Sequence, residues 1–370
     1  LKRRDLLAWA TRLVLAGAVP ALLLGGDAEG YDPANLGRFG YSPATPRTIL
    51  GVHTRLTDEV EYWKISKTLQ MVQAMGAGWT VELFPWAYIE PRHAEFDWAH
   101  PDFVIREANS QGLEMIARLD FVPDWARPKG STPRRLPREH YADFAGFAGR
   151  FAERYKNAVR YFVIWNEPNT SFELGYEKVD AAAYVELLAL TSKAIRAAHP
   201  AATILPAGLA PTVDNSDLAQ SDLAYLQSLY DLGAARYFDA LCAHSYGWKF
   251  PPESPASPTR INFARVELLR QIMEKNGDGA KRIIMTETGW NDDPRWTKAV
   301  HPGLRILYTL RALKMATADW PWLQAMCLWC FRLPAPAHDY NDYFTLVDTN
   351  FRAKPIYDQI RDHSREYVRG

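Results

Sequence analysis

The sequence predicts a single (β/α)8 barrel, a TIM barrel, with extended loops on the face where the strands end. Three observations lead there. Short β-branched or apolar runs alternate with longer stretches that carry apolar residues at helical spacing. The alternation repeats eight times, and parallel strands joined by helical crossovers need both faces covered, which a closed barrel supplies. No glycine-rich fingerprint follows the first run, so a doubly wound dinucleotide-binding sheet has no support. A chain of 370 residues has room for one barrel of about 250 residues plus long loops.

The first unit pairs the apolar run Thr48–Val52 with helical spacing over Asp58–Met75. Trp79–Glu82 and Phe103–Gln111 make the second unit, Leu113–Leu119 and Arg138–Arg154 the third, and Val159–Trp165 and Val179–His199 the fourth. Thr203–Pro206 leads into Leu223–Leu232, Ala240–His244 into Ile261–Asn276, and Arg282–Thr286 into Gly303–Ala318. Ala325–Trp329 and Pro355–Tyr367 close the series. Long connections follow strands three, six, seven and eight, the proline-rich Gly247–Arg260 among them. Loops after barrel strands carry the site, so these extensions are expected to wall a cleft.

Residues 1–30 read differently from the barrel, which is expected over residues 31–370. Lys2, Arg3 and Arg4 precede an apolar stretch from Leu6 to Leu24, and the small residues Gly26 and Ala28 follow. This is the layout of an export signal, with a twin-arginine flavour and cleavage after Ala28. The expected location is secreted or in the cell envelope, with no stable membrane association once the signal is removed. The alternative is a retained membrane anchor, since the stretch approaches the roughly 20 apolar residues that span a bilayer.

The 43 basic and 43 acidic residues cancel, so no long-range field favours nucleic acid or an anionic membrane. The loop Arg127–Arg138 holds five Lys or Arg residues and reads as a solvated loop, with an acidic polysaccharide as the alternative partner. Cys327 and Cys330 lie three apart on a strand, so their thiols point to opposite faces and are expected to be buried bystanders rather than a redox or metal pair. No metal site and no cofactor are expected. Thirteen Trp and 18 Tyr supply the amphipathic rings that suit a wet, sugar-binding cleft.

Two strand ends carry the chemistry. The fourth strand runs into Trp165-Asn166-Glu167-Pro168-Asn169, and the seventh into Thr286-Glu287-Thr288-Gly289-Trp290. Alternation puts Val163, Trp165 and Glu167 on one face, and Ile283, Met285 and Glu287 on another, so each glutamate is expected to continue the inward row. A barrel sets its fourth and seventh strands across one mouth. Glycoside hydrolysis needs such a pair, one carboxylic acid to protonate the leaving oxygen and one carboxylate to attack the anomeric carbon.

These motifs resemble those of the clan A glycoside hydrolases, the 4/7 superfamily of retaining barrels. Within the clan the chain is most similar to family 39 and the family 5-like enzymes, on those motifs and on Phe344-Thr-Leu-Val-Asp348 followed by Lys354-Pro-Ile-Tyr357. The resemblance implies that Glu167 is the acid/base, Glu287 the nucleophile, and Asn166 the partner of the sugar 2-hydroxyl. It also implies that His244 and Tyr246, which share a face of the sixth strand with Cys242, flank the nucleophile, and that Trp329 is an aromatic platform. His53 and Arg118 are candidates to bind hydroxyls or orient Glu287. Trp86, Trp125, Trp248, Trp290 and Trp296 are candidate stacking surfaces.

The expected reaction is double displacement on β-glycosidic bonds of an oligo- or polysaccharide, with internal bonds the point of attack. The charge on ionised Glu287 is expected to keep Glu167 protonated until the glycosyl ester forms. Transglycosylation by the same fold and a non-catalytic carbohydrate-binding barrel are the alternatives.

Overall fold

A computed structural model of the chain describes Pro46 and residues 48–368, with side chains as far as residue 364. The export-signal candidate, residues 1–30, lies outside the described residues. The strands are β1 (Leu50–His53), β2 (Trp79–Pro85), β3 (Glu114–Asp120), β4 (Tyr161–Ile164), β5 (Thr203–Pro206), β6 (Leu241–Tyr246), β7 (Ile283–Gly289) and β8 (Leu323–Leu328). They pair in parallel in the order β5-β4-β3-β2-β1-β8-β7-β6. β5 and β6 meet at the seam through the loop before β6. The Asp239 N–H donates to Ile204 O at 2.8 Å, and Asp239 Oδ2 accepts from the Ile204 N–H at 2.8 Å. The expected eight-stranded barrel is therefore present. Its interior is filled by side chains such as Trp79, Val163, Leu205, Cys242, Ile284 and Cys327.

Around it stand α1 (Tyr62–Ala74), α2 (Ala99–Ser110), α3 (Tyr141–Tyr155), α4 (Ala181–Ala198), α5 (Asp222–Asp231), α6 (Val266–Lys275), α7 (Pro302–Asp319) and α8 (Pro355–Val368). Helical spacing makes these elements. Phe144, Phe147, Phe151 and Tyr155 recur every three or four residues on α3 and are buried, with Phe151 5.0 Å from Phe84 of β2. Asp180 caps α4 by accepting from the Ala182 and Ala183 N–H groups. Pro302 opens α7, where a missing N–H costs nothing. α6 begins at Val266 rather than at the expected Ile261, because Asn262 is extended and its amide donates to the Ser254 and Pro255 carbonyls of the preceding loop. Cys242, Cys327 and Cys330 are free and buried, as expected.

Candidate active site

The two glutamates reach the barrel mouth by a route that strict alternation misses. On β4, Val163 faces the interior, but Trp165 does not. Trp165 has a φ of 75° and Glu167 one of 39°, so the chain turns sharply between them. The Trp165 ring instead packs against Phe144 of α3 at 5.7 Å, and its Nε1 donates to Glu173 O at 2.9 Å. Glu167 is pinned at the mouth by its own N–H, which donates to Gly208 O at 3.0 Å.

On β7 the interior residue is Ile284, not Ile283 or Met285. The register with β6 then shifts: Ala243 pairs with Met285 and His244 with Glu287, leaving Thr286 as the extra residue. Such a shift re-aims a side chain. Both expected inward rows are thus corrected, while both carboxylates still arrive at one site.

Their partners come from β3 and β6. The Arg118 guanidinium donates to Glu287 Oε1 at 2.9 Å and to Asn166 Oδ1 at 3.1 Å. The Tyr246 hydroxyl donates to Glu287 Oε2 at 2.8 Å. His244 Nδ1 lies 2.8 Å from Glu167 Oε1 and 3.8 Å from Glu287 Oε2, and its Nε2 lies 3.1 Å from Thr286 Oγ1. One donor atom each from Glu167, His244 and Glu287 falls within 4.8 Å of the others. This is also a spacing that can hold a metal ion, yet Arg118 and His244 already supply positive charge there.

Electrostatics separates the members of the site. Burial alone would raise Glu287, but the charges on His244 and Arg118, aided by the Tyr246 hydroxyl, hold it well below the ordinary carboxylate range. Burial would strip the proton from His244. The negative charge of Glu287, with hydrogen bonding to Cys242 and Glu167, outweighs it and raises that pKa well above the ordinary histidine value. Burial, together with Glu287 and Glu167, keeps the Tyr246 phenol protonated. His53 behaves oppositely, since burial and nearby Arg118 lower its pKa and leave it neutral. Its Nδ1 donates to Thr54 O at 2.7 Å, and its Nε2 has no partner among the described residues.

Two acids that alternation and motif did not single out join the site. Asp120 ends β3, with Oδ2 3.3 Å from Arg118 Nε, and burial near Glu287 raises it to about 6 despite that arginine. Glu173 follows β4 and accepts from Arg134 Nε at 2.8 Å; burial raises it to about 7. A carboxylate at the end of a third strand was the readable signal for Asp120. Nothing local marked Glu173.

The tryptophans divide. Trp329 is half-buried and stands edge-on to His53 at 4.6 Å, at the mouth. Trp290 and Trp86 are corrected to packing residues: they are 1% and 0% exposed. Trp290 lies under Phe263 and Tyr308 with Nε1 donating to Phe250 O, so no sugar can lie on it. Trp125 is half-buried on Trp86 and His93 and donates to Glu90 O at 3.0 Å, bracing loops rather than touching the carboxylates. Trp248 and Trp296 are half-buried in the loops after β6 and β7, and Trp296 stacks on Tyr340 at 5.0 Å. In the basic loop Arg127, Arg134, Arg135 and Arg138 are all paired with carboxylates.

By sequence, no family model and no curated protein matches the chain. By structure, the fold is that of the barrel glycoside hydrolases. The chain is similar to a family 39 glycoside hydrolase from the gut symbiont Bacteroides cellulosilyticus WH2, with a TM-score of 0.68 at 18% identity, over 85% of this chain and 63% of that one. A family 39 enzyme from Xanthomonas axonopodis pv. citri gives 0.65 at 16% identity, over 88% and 67%. A monomeric β-xylosidase from Caulobacter crescentus CB15 gives 0.62 at 19% identity, over 85% and 67%. At these identities the likeness speaks for the fold. The chain spans 63% to 67% of the length of these three neighbours.

Proposed function

We propose that the protein is a retaining glycoside hydrolase that cleaves internal β-glycosidic bonds of an oligo- or polysaccharide, with residues 1–30 directing its export. The observation that carries this reading is the pair of carboxylates at the ends of β4 and β7. One oxygen of each lies within 4.8 Å of the other, which suits the roughly 5 to 5.5 Å carboxyl spacing of double displacement rather than the roughly 6.5 to 9.5 Å of direct attack by water.

In this reading Glu287 attacks the anomeric carbon as a carboxylate, held ionised by Arg118 and aimed by Tyr246. His244 Nδ1 lies 2.8 Å from Glu167 Oε1, so a proton can pass from the imidazolium to that carboxyl group. Glu167 delivers that proton to the leaving oxygen as the glycosidic bond breaks. The charge of Glu287 is the largest influence favouring the His244 proton, so ester formation at Glu287 loosens the proton as it is needed. In the second step water gives a proton back to Glu167, its oxygen attacks the anomeric carbon, and Glu287 leaves as carboxylate. Asn166, fixed by Arg118, is placed to bind the sugar 2-hydroxyl.

Activated aryl β-glycosides with azide test the roles. Glu167→Ala is expected to release a burst of aryl alcohol, stall as the ester, and give a β-glycosyl azide. Glu287→Gly is expected to lose nearly all turnover and to give the α-azide by direct attack. Exchanged configurations reverse the two roles, and loss below about a hundredfold in both variants removes both residues from catalysis.

A further inference from the structure

The site's partners are acids balanced by cations, but one cation beside it is left over. Lys298, in the loop after β7, places its ammonium 3.6 Å from the centre of the Trp248 ring and 6.0 Å from that of Trp296. Among the described residues it has neither an ion pair nor a hydrogen bond. The side chain is half-buried, and burial, with no carboxylate offsetting it, lowers its pKa. A half-buried ammonium held over π faces, with no carboxylate beside it, is free to pair with an anion that enters.

The position is continuous with the reacting centre. Tyr246 donates to Glu287, its ring lies 5.6 Å from Phe344, Phe344 lies 6.1 Å from Trp296, and Trp296 borders Lys298. The loop is held in place: Val300 N–H donates to Asn291 O at 2.9 Å, and the Asn291 amide donates to Tyr340 O at 2.7 Å in the β8 loop. Trp248 itself sits at φ 50°, a left-handed conformation that non-glycine residues seldom take. The nearby acids are engaged elsewhere, Asp292 with Arg305, Asp293 with Arg295, and Asp339 with the Asn341 N–H.

We propose that Lys298, Trp248 and Trp296 form a cleft subsite for a sugar unit bearing an anionic substituent, a carboxylate or a sulfate ester, with Lys298 as the partner of the charge. This rests on the glycosidase reading of the cleft and names its substrate class as an acidic glycan. Both indoles are half-exposed, with one face of Trp248 under the ammonium and one face of Trp296 on Tyr340, so the sugar ring meets what they leave open, and their partial cover strengthens the ion pair above its value in open water. A neutral unit there leaves the ammonium as it stands; an anionic one satisfies it.

Calorimetry on the intact chain tests this with gluco-, manno- and galacto-oligosaccharides, each neutral, oxidised at C6 to the uronate, or sulfated. At least one charged oligosaccharide is expected to bind about tenfold tighter than its neutral parent, with the gain shrinking as salt rises. Lys298→Met is expected to erase that difference, and Lys298→Arg to restore most of it. Equal binding of charged and neutral forms, binding of none of them, or a Lys298→Met loss that is the same for both forms, as a loop-bracing contact would give, overturns the subsite. Hydrolysis followed in parallel separates the two readings. Lys298-dependent binding without cleavage keeps the subsite and sinks the glycosidase, whereas cleavage with no charge preference does the reverse.

Discussion

Tyr246→Phe removes a single oxygen, and the structure sets what that oxygen is worth. The phenol donates to Glu287 Oε2 at 2.8 Å, and the Glu287 side chain is 10% exposed, so little water is on hand to replace it. A buried hydrogen bond to a charged group contributes about 1.5 to 3 kcal/mol. One pKa unit is about 1.4 kcal/mol, so the folded pKa of Glu287 is expected to rise by about 1 to 2 units. In the proposed mechanism Glu287 attacks as a carboxylate, so activity is expected above its pKa and is lost as pH falls through it. Raising the pKa therefore moves the acid limb of kcat/KM to higher pH by the same amount. Arg118 and His244 remain, so the carboxylate still ionises before neutrality. The assay is kcat/KM on an activated aryl β-glycoside across the acid range, with circular dichroism confirming the fold. An acid limb that stays put, or moves to lower pH, would refute the reasoning.

Arg118→Met leaves Glu287 and Asp120 without their shared guanidinium; breaking a buried ion pair by one partner costs about 3 to 5 kcal/mol, which urea unfolding will show alongside loss of turnover. Gly208→Ala would set a Cβ 2.4 Å from the His244 ring, so the ring must leave Glu167, and kcat is expected to fall more than about tenfold with Tm lowered by only a few degrees; unchanged kcat would deny His244 a part in proton delivery. Glu82 accepts from the Thr54 hydroxyl and the Leu56 and Thr57 N–H groups, yet full burial raises its pKa to about 7. The folded state prefers the protonated form, so its contribution is expected to weaken as pH rises from the unfolded value through about 7, by up to about 3 kcal/mol. Glu82→Gln should flatten that slope in urea midpoints, and an equal slope in both proteins would count against it.

Much of this was readable before any coordinates. The eight βα units were readable because hydrophobic periodicity and the Gly and Pro residues that end elements are local signals, and Thr203–Pro206 is found with the expected limits. Strand ends shifted where a residue outside the element decided them. β7 extends to Gly289 because β6 goes on pairing with it as far as Tyr246 opposite Gly289, a partner no window of sequence contains. Glu167 and Glu287 were visible for the same local reason, each standing at a strand end beside a chain breaker.

What the sequence determined by itself was the barrel, the two carboxylates and the strands that present them. How those carboxylates turn inward was decided by tertiary structure: two left-handed residues in the β4 turn and a slipped register beside β7, where period-two counting fails because the backbone no longer alternates. The partners were decided there too. Arg118 and Glu287 are 169 residues apart, and only barrel closure brings them to 2.9 Å, so the state of Glu287 is a property of the assembled mouth. The same holds for the tryptophans. Trp290 and Trp329 look alike in sequence, but one lies beneath Phe263 and Tyr308 while the other borders the cleft, because an indole's role depends on what the rest of the chain lays over it.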